Sequence, residues 1–324
     1  MKPPRVGSLL RVLVAVGLTA YMLRDANPSE VWRVSLRASP WFLAAAVGLV
    51  FLDRALMAYR WLVLLRPLSS ASHLSLWPIM RIFFVSTFVG TFLPASVGGD
   101  AVRAYGLARQ QVPGAAAVAS VFMDRMLGVL SVLLMAGVGL AFAVDLASNP
   151  YVLAALAVSL AACAVTAALV FSRGAAAAAG RLLDLAPSAR ISRVGRKLLA
   201  AIQSYANAHR DLLNVLAGSI AVQVLRIVQA YYLGRALGIA AGPAAYFAFV
   251  PLVLLVMLLP ITVNGLGTSQ WAFVWLFARV GVDAAAAFAL SVLFVALGVV
   301  GNLPGAWLYL TGGLHGRRQP EATS

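Results

Sequence analysis

Charge is scarce in this chain of 324 residues: Asp, Glu, Lys and Arg together make up 11% of it, against about 25% in an ordinary soluble domain. That shortage excludes a water-solvated surface of normal extent. Hydrophobic residues reach 62% and mean hydropathy is +0.91, so lipid must be the solvent for most of the length. Cysteine is nearly absent. The one residue, Cys163, lies in an apolar run, which excludes a disulfide framework and a thiolate metal site. His73, His209 and His315 are far apart and form no His-Glu-x-x-His cluster, so no metal is expected and each reads as a loop or interfacial residue. No Walker A sequence occurs, which argues against ATP hydrolysis, and no cofactor is expected. The apolar runs are continuous instead of alternating, which disfavours a transmembrane β-barrel.

What charge there is lies on one side of neutrality. Twenty-five basic residues against ten acidic give +15 and a pI near 11.1. In a soluble protein that balance would point to nucleic acid. Here the basic residues sit between and beside apolar runs, where they report membrane orientation, and no nucleic-acid partner is expected. Lys2, Arg5 and Arg11 precede an apolar run to Leu23. A signal peptide is one reading, but Arg24-Asp25-Ala26-Asn27-Pro28 follows without a small-x-small cleavage site, so a retained first span is favoured.

The apolar segments are residues 6–23, 40–65, 76–93, 115–143, 150–171, 212–238, 244–260, a short piece at 271–280, and 284–311. They predict an all-α polytopic membrane protein, with residues 1–315 as one integral membrane domain and residues 316–324 as a polar tail. Residues 172–211 carry Arg173, Arg181, Arg190, Arg193, Arg196, Lys197 and Arg210 against Asp184 and Asp211. Their amphipathic pattern predicts helices on the membrane surface.

An internal repeat is visible. Leu93-Pro94-Ala95-Ser96-Val97-Gly98-Gly99 and Leu259-Pro260-Ile261-Thr262-Val263-Asn264-Gly265 share a Leu-Pro-x-x-Val-x-Gly frame, and each precedes a short segment ending in Ala-Arg (Ala108-Arg109, Ala278-Arg279). Topology supplies a second argument. The basic N-terminus and the basic stretch 172–211 should both face the cytoplasm, yet five crossings between them would put the stretch outside. Parity returns if residues 67–113 form a re-entrant hairpin. A second hairpin, residues 243–283, then enters from the opposite face. The expected architecture is about six full spans plus two oppositely inserted hairpins, an arrangement like an inverted repeat, with both termini inside. Broken helices meeting at a repeat interface are a transporter architecture.

Irregular backbone at membrane depth is tolerated where it lines a cavity. In the first loop Ser96, Gly98 and Gly99 offer close backbone approach, and Asp100 is placed to cap a helix over 101–109, whose N-terminal amides suit an anion. Arg103, one turn in, would clamp that anion or neutralise Asp100. The bland alternative is a capped turn. In the second loop Asn264, Gly265, Gly267 and Gln270 read as a substrate-approach turn, against a plain external turn. Asp53, Arg54, Asp124, Arg125 and Arg226 are ionisable residues inside spans, each costing about 2.5–3.5 kcal/mol unless partnered. Adjacent helical residues do not face each other, so Asp53–Arg54 and Asp124–Arg125 are not expected to pair internally; a structural charge network and a substrate role stand level. Arg60 and Arg66 are expected to snorkel, and Trp61, Trp77, Trp271 and Trp307 to anchor at the interface.

Four motifs in order carry a resemblance: Tyr59-Arg60-Trp61 with Leu64-Leu65-Arg66; Leu93-Pro94 with Gly98-Gly99-Asp100 and Arg103; Asp124-Arg125 with Gly128; and Leu259-Pro260 with Asn264-Gly265-Leu266-Gly267. Together they span nearly the whole chain and resemble the flippase-like transmembrane domain of lysylphosphatidylglycerol synthetases and the stand-alone membrane proteins related to it. The resemblance implies a bacterial inner-membrane lipid flippase, its partners being membrane lipids with an anionic or phosphate-bearing head group. Where the family often has an Arg-Glu pair, this chain has Ser269-Gln270, so a step assigned to that pair does not carry over. No soluble aminoacyl-transfer domain is expected in these residues. Two rival readings remain: a membrane enzyme acting on lipid phosphates, and an assembly protein. The first lacks a histidine beside Asp53, Asp100 or Asp124 and a closely spaced Asp cluster. Cysteines introduced by Arg190→Cys and Arg318→Cys should both be shielded from impermeant thiol reagents outside intact cells; labelling at position 190 would remove the re-entrant reading of residues 67–113.

Overall fold

A computed structural model describes residues 17, 19–68, 71, 74–92, 97–142, 150–185, 188–258 and 265–311. Among these residues every regular element is helical. The helices are α1 (Pro28–Leu36), α2 (Pro40–Leu65), α3 (Leu76–Phe92), α4 (Val97–Ala108), α5 (Gly114–Phe142), α6 (Pro150–Phe171), α7 (Arg173–Asp184), α8 (Ala189–Gln203), α9 (His209–Ala236), α10 (Pro243–Leu258), α11 (Thr268–Phe277) and α12 (Ala284–Leu310). Five of them are long and apolar enough to cross a bilayer: α2, α5, α6, α9 and α12. The sixth expected crossing, residues 6–23, lies mostly outside the described residues. The ends of the helices that match the expected apolar segments fall within about three residues of them, near the usual scatter of boundary assignment. By contrast, α4 starts four residues before the helix expected over 101–109, and α1 corresponds to no expected segment.

Helices α3 and α10 have 17 and 16 residues, which at 1.5 Å per residue leaves them short of a hydrocarbon core of about 30 Å. Each is followed by a shorter helix, α4 or α11. The order long, short, shorter, long therefore occurs twice, in α2–α5 and in α9–α12. The packing repeats as well: α3 lies on α12 as α10 lies on α5, and α2 lies along α9. The last pair runs antiparallel, since the Ser39 N–H before α2 donates to Ala236 O at the end of α9 (2.9 Å) while Arg60 near the end of α2 reaches Ser219 early in α9.

Glycine sets the spacing of the two crossed pairs. A Cβ on Gly139 of α5 would stand 2.6 Å from Ala248 O of α10, and one on Gly305 of α12 would overlap Phe84 O of α3. Backbones in such contact leave little room for side chains, the close-packing mode of membrane helices. Two apolar clusters fill the bundle. One lies around Trp61, Leu64, Phe83 and Tyr205, the other around Tyr246, Val253, Phe273 and Phe277. The middle of α2, α5 and α9 runs between them, and that is where the polar residues collect. Helices α7 and α8 are amphipathic, capped by Ser172 and Ser188, and keep Leu182, Leu185, Ile191 and Val194 exposed beside their arginines.

The two glycine environments on α5 give a controlled comparison. Gly139→Ala should destabilise by about 1–3 kcal/mol through forced separation of α5 and α10. Gly137→Ala, which meets nothing within 4 Å, should be neutral or stabilise by up to about 1 kcal/mol through helix propensity. Thermal unfolding of the two variants in detergent measures the difference, and equal midpoints would show that the contact does not set the packing.

Candidate functional site

A cavity of about 470 Å³ opens between the two apolar clusters, walled by α2, α3, α4, α5, α9, α10 and α12. Five arginines line it (Arg54, Arg60, Arg103, Arg125 and Arg226) and face three aspartates, Asp53, Asp100 and Asp124. The lining thus has an excess of two positive charges.

The deepest charges form one cluster. Asp124 of α5 accepts from Arg60 Nη2 on Oδ1 (2.7 Å) and from Arg103 Nη1 on Oδ2 (2.8 Å). All three residues are buried. Arg60 Nη1 also donates to Ser219 Oγ (2.8 Å), so α9 joins the cluster. The Arg103 guanidinium lies between the rings of Trp61 and Phe83, 4.9 and 4.8 Å from their centroids, close enough for cation–π attraction on both faces. Just outside the spans, burial and then the Asp124 charge raise the Tyr205 phenol above its ordinary value, so it stays protonated.

A second network crosses the cavity. Asp53 Oδ2 accepts from Arg54 Nη1 (2.8 Å), and Arg226 Nε stands 3.5 Å from Asp53 Oδ1. Arg54 Nε donates to Asn302 Oδ1 (3.0 Å), and Asn302 Nδ2 to Thr91 Oγ1 (2.9 Å). Arg226 is the loosest cation. Its other close partner is the Met57 sulfur at 3.5 Å, a weak acceptor, and its side chain is 24% exposed. At the rim Asp100 pairs with Arg125, both partly exposed. The rim is brought in by glycine: a Cβ on Gly90 would lie 2.9 Å from Gly99 Cα, so α3 and α4 touch through their backbones.

Of the residues singled out from the sequence, Gly99, Asp100, Arg103, Asp124, Arg125, Asp53, Arg54 and Arg226 all line this cavity. Gly98 does not, and Ser96 and Asn264 lie outside the described residues. Gly265, Gly267 and Gln270 are elsewhere too. Gly265 and Gly267 take positive φ of 75° and 84°, and the buried Gln270 Oε1 accepts from Gly267 N (2.6 Å) and Ser269 Oγ (3.1 Å), closing the first turn of α11.

Several expectations are corrected. Asp100 is inside α4, which starts at Val97, so it caps no helix over 101–109, and it pairs with Arg125 while Arg103 pairs with Asp124. Asp53 and Arg54 do bond to each other, because a long guanidinium side chain can fold back along the helix where a short one cannot. Arg60 does not snorkel, since Asp124 and Ser219 hold it inside. Trp61 is fully buried against Arg103 and anchors no interface, whereas Trp77 and Trp307 are well exposed. Sequence reading missed Phe83 as a ring against Arg103, and Ser219, Thr91 and Asn302 as polar partners of the charge networks. Their one visible signal was polar groups inside apolar spans, with Thr87 and Thr91 four apart on α3.

A family model described as the lysylphosphatidylglycerol synthase TM region matches residues 8–305, which includes every residue of the cavity. No curated protein matches the chain.

Removing one partner of a buried ion cluster leaves the others uncompensated, at about 3–5 kcal/mol. Asp124→Asn should therefore lower the unfolding midpoint in detergent sharply. Arg226→Gln, at a loosely partnered position, should lower it little. Comparable midpoints for the two variants would contradict this division between clamped and loose charges.

Proposed function

The chain belongs to the lysylphosphatidylglycerol synthase TM-region family, a family linked to lipid handling, and on that footing we propose that it moves a phosphate-bearing lipid between the leaflets of a bacterial inner membrane. The observation that carries the reading is the charge excess of the cavity. Five arginines against three aspartates, six of the eight on long apolar helices and Asp100 and Arg103 on the short α4, favour an anionic guest, because fixed positive charge away from water lacks a counter-ion. A lipid head group with a phosphate supplies one, and its tails stay in the hydrocarbon.

The docking groups in this proposal are Arg226 and Arg125, helped by the first-turn amides of α4. Arg103 is committed to Asp124 and two aromatic rings and serves as a positioning residue. The twofold helix order and crossed packing support reading α3–α4 and α10–α11 as oppositely inserted hairpins of an inverted repeat, between whose halves a midplane site is reached alternately from each side. The exposed basic faces of α7 and α8 favour the cytoplasm for that side and for both termini. The head group is not chemically altered in this proposal. Ser269 and Gln270 are engaged in the α11 turn, so no coupling ion is assigned to them.

The test is reconstitution into liposomes with short-chain fluorescent phosphatidylglycerol or phosphatidylcholine, scoring leaflet exchange and head-group conversion separately. Wild type should accelerate exchange of phosphatidylglycerol. Arg226→Gln should slow it about tenfold, the loss of one charge-assisted hydrogen bond of about 1.5 kcal/mol. Arg226→Lys should fall between, keeping charge without the planar fork. Exchange no faster than in protein-free liposomes would reject transport, and conversion of the head group would favour a membrane enzyme.

A further inference from the structure

A second cavity, about 320 Å³, lies between α5, α6 and the start of α9. Its α5 wall is Met123, Met126, Leu127 and Leu130. Asp124, Gly128 and Val132 line the charged cavity, and at 3.6 residues per turn the two sets point to opposite sides of α5. The two spaces are therefore separated by a helix. Across the cleft α6 presents Cys163 and Ala167. The lining is apolar throughout except for Thr166, whose hydroxyl is spent on Ala162 O (2.9 Å), and His209 at one end. No polar guest is accommodated by such walls. Left empty, a cleft of this size forfeits dispersion contacts along every side.

One end of the cleft has a distinct chemistry. Phe171, closing α6, stacks on His209, which opens α9, with centroids 5.7 Å apart and planes 14° from parallel. Arg173 follows Phe171 by two residues and Arg210 is next to His209, both exposed. Neither makes an ion pair among the described residues, Asp184 being taken by Arg196; Asp211 is the nearest acid in sequence. Two exposed cations without an ion-pair partner among the described residues thus stand within two residues, along the chain, of the Phe171–His209 stack that lines this end of the slot, on the side of the membrane where the basic helices α7 and α8 lie.

We propose that this cleft is a second lipid site, distinct from the charged cavity: one acyl chain of an anionic phospholipid inserts between α5, α6 and α9, and its phosphate is held by Arg173 and Arg210. The bound lipid takes the place of a protein side chain in seating α6, an uncharged helix that is mostly exposed along its length. Juxtamembrane basic residues of this kind attract anionic lipid. The site depends on the membrane setting alone and not on transport.

Native mass spectrometry of detergent-purified protein with added phosphatidylglycerol or phosphatidylcholine tests it. Wild type should retain one more phosphatidylglycerol than either Ala167→Trp, which fills the cleft, or the surface variant Arg173→Gln/Arg210→Gln. Arg226→Gln should keep that molecule, which separates the cleft from the central cavity. Cys163, the one thiol of the chain, supplies a second readout. At a phosphatidylglycerol concentration about ten times its dissociation constant, alkylation by N-ethylmaleimide should slow about tenfold, and the surface variant should lose that protection. Equal retention in wild type and in the surface variant, or equal protection by both lipids, would reduce the cleft to a passive packing gap.

Discussion

Two arginines share one buried carboxylate, and the shape of the cavity depends on that sharing. Asp124 takes one guanidinium on each oxygen, which ties α2, α4 and α5 at a single point. A carboxylate at membrane depth is costly alone and so is a guanidinium. One acid between two bases still leaves a positive charge, and the surroundings disperse it: Ser219 accepts from Arg60, and the π-faces of Trp61 and Phe83 take Arg103. Each piece explains why another is where it is. Trp61 is inside because Arg103 needs a ring, and Arg60 is inside because Asp124 has a second oxygen.

With those charges fixed, the remaining arginines acquire a different character. Arg54 is bound to Asp53, Asn302 and Gly298 O, so it is largely satisfied. Arg125 has Asp100 at a partly exposed rim. Arg226 has a distant carboxylate and a thioether. The donors of one cavity thus differ in how fully they are engaged. The cluster arginines are held by a buried carboxylate, whereas Arg226 has only a distant carboxylate and a weak acceptor, and in the proposed transport reading it is left to meet an anionic guest.

Much of this was legible in the amino-acid sequence, but unevenly. Helix bounds followed from apolar runs and Pro or Gly punctuation, and α2 and α6 coincide with the expected segments residue for residue. The requirement that Asp124 and Arg103 find partners across helices was legible too, since buried charge permits nothing else. Which partners they find was not. Spacing along one helix says nothing about the neighbour that arrives across it, so Arg60 looked like a residue near a helix end and Trp61 like an interfacial ring. Most of both Leu-Pro frames lies outside the described residues, and Gly139 and Gly305, which bring α10 against α5 and α3 against α12, lie outside those frames. The Gln270 cap depends on a left-handed turn at Gly267, visible only as a glycine among polar residues.

The two halves share an order of helices but not a chemistry, and the difference bears on how they can move. Every tight ion pair of the central cluster and its rim joins elements of the first half: Arg60–Asp124, Arg103–Asp124 and Asp100–Arg125. Contacts that cross to the second half have a neutral partner or a long distance: Arg60 to Ser219, Arg54 to Asn302, Gln223 to Ser131 and Arg226 to Asp53 at 3.5 Å. Charge-assisted bonds between two ions are the strong class, and bonds with a neutral hydroxyl or amide are weaker. The seam between the halves is thus the weaker electrostatic boundary, while the charge cluster holds α2, α4 and α5 as a unit. A displacement of α9–α12 against that unit breaks hydrogen bonds to neutral partners and the long Arg226–Asp53 pair, and it leaves Asp124 with both of its arginines.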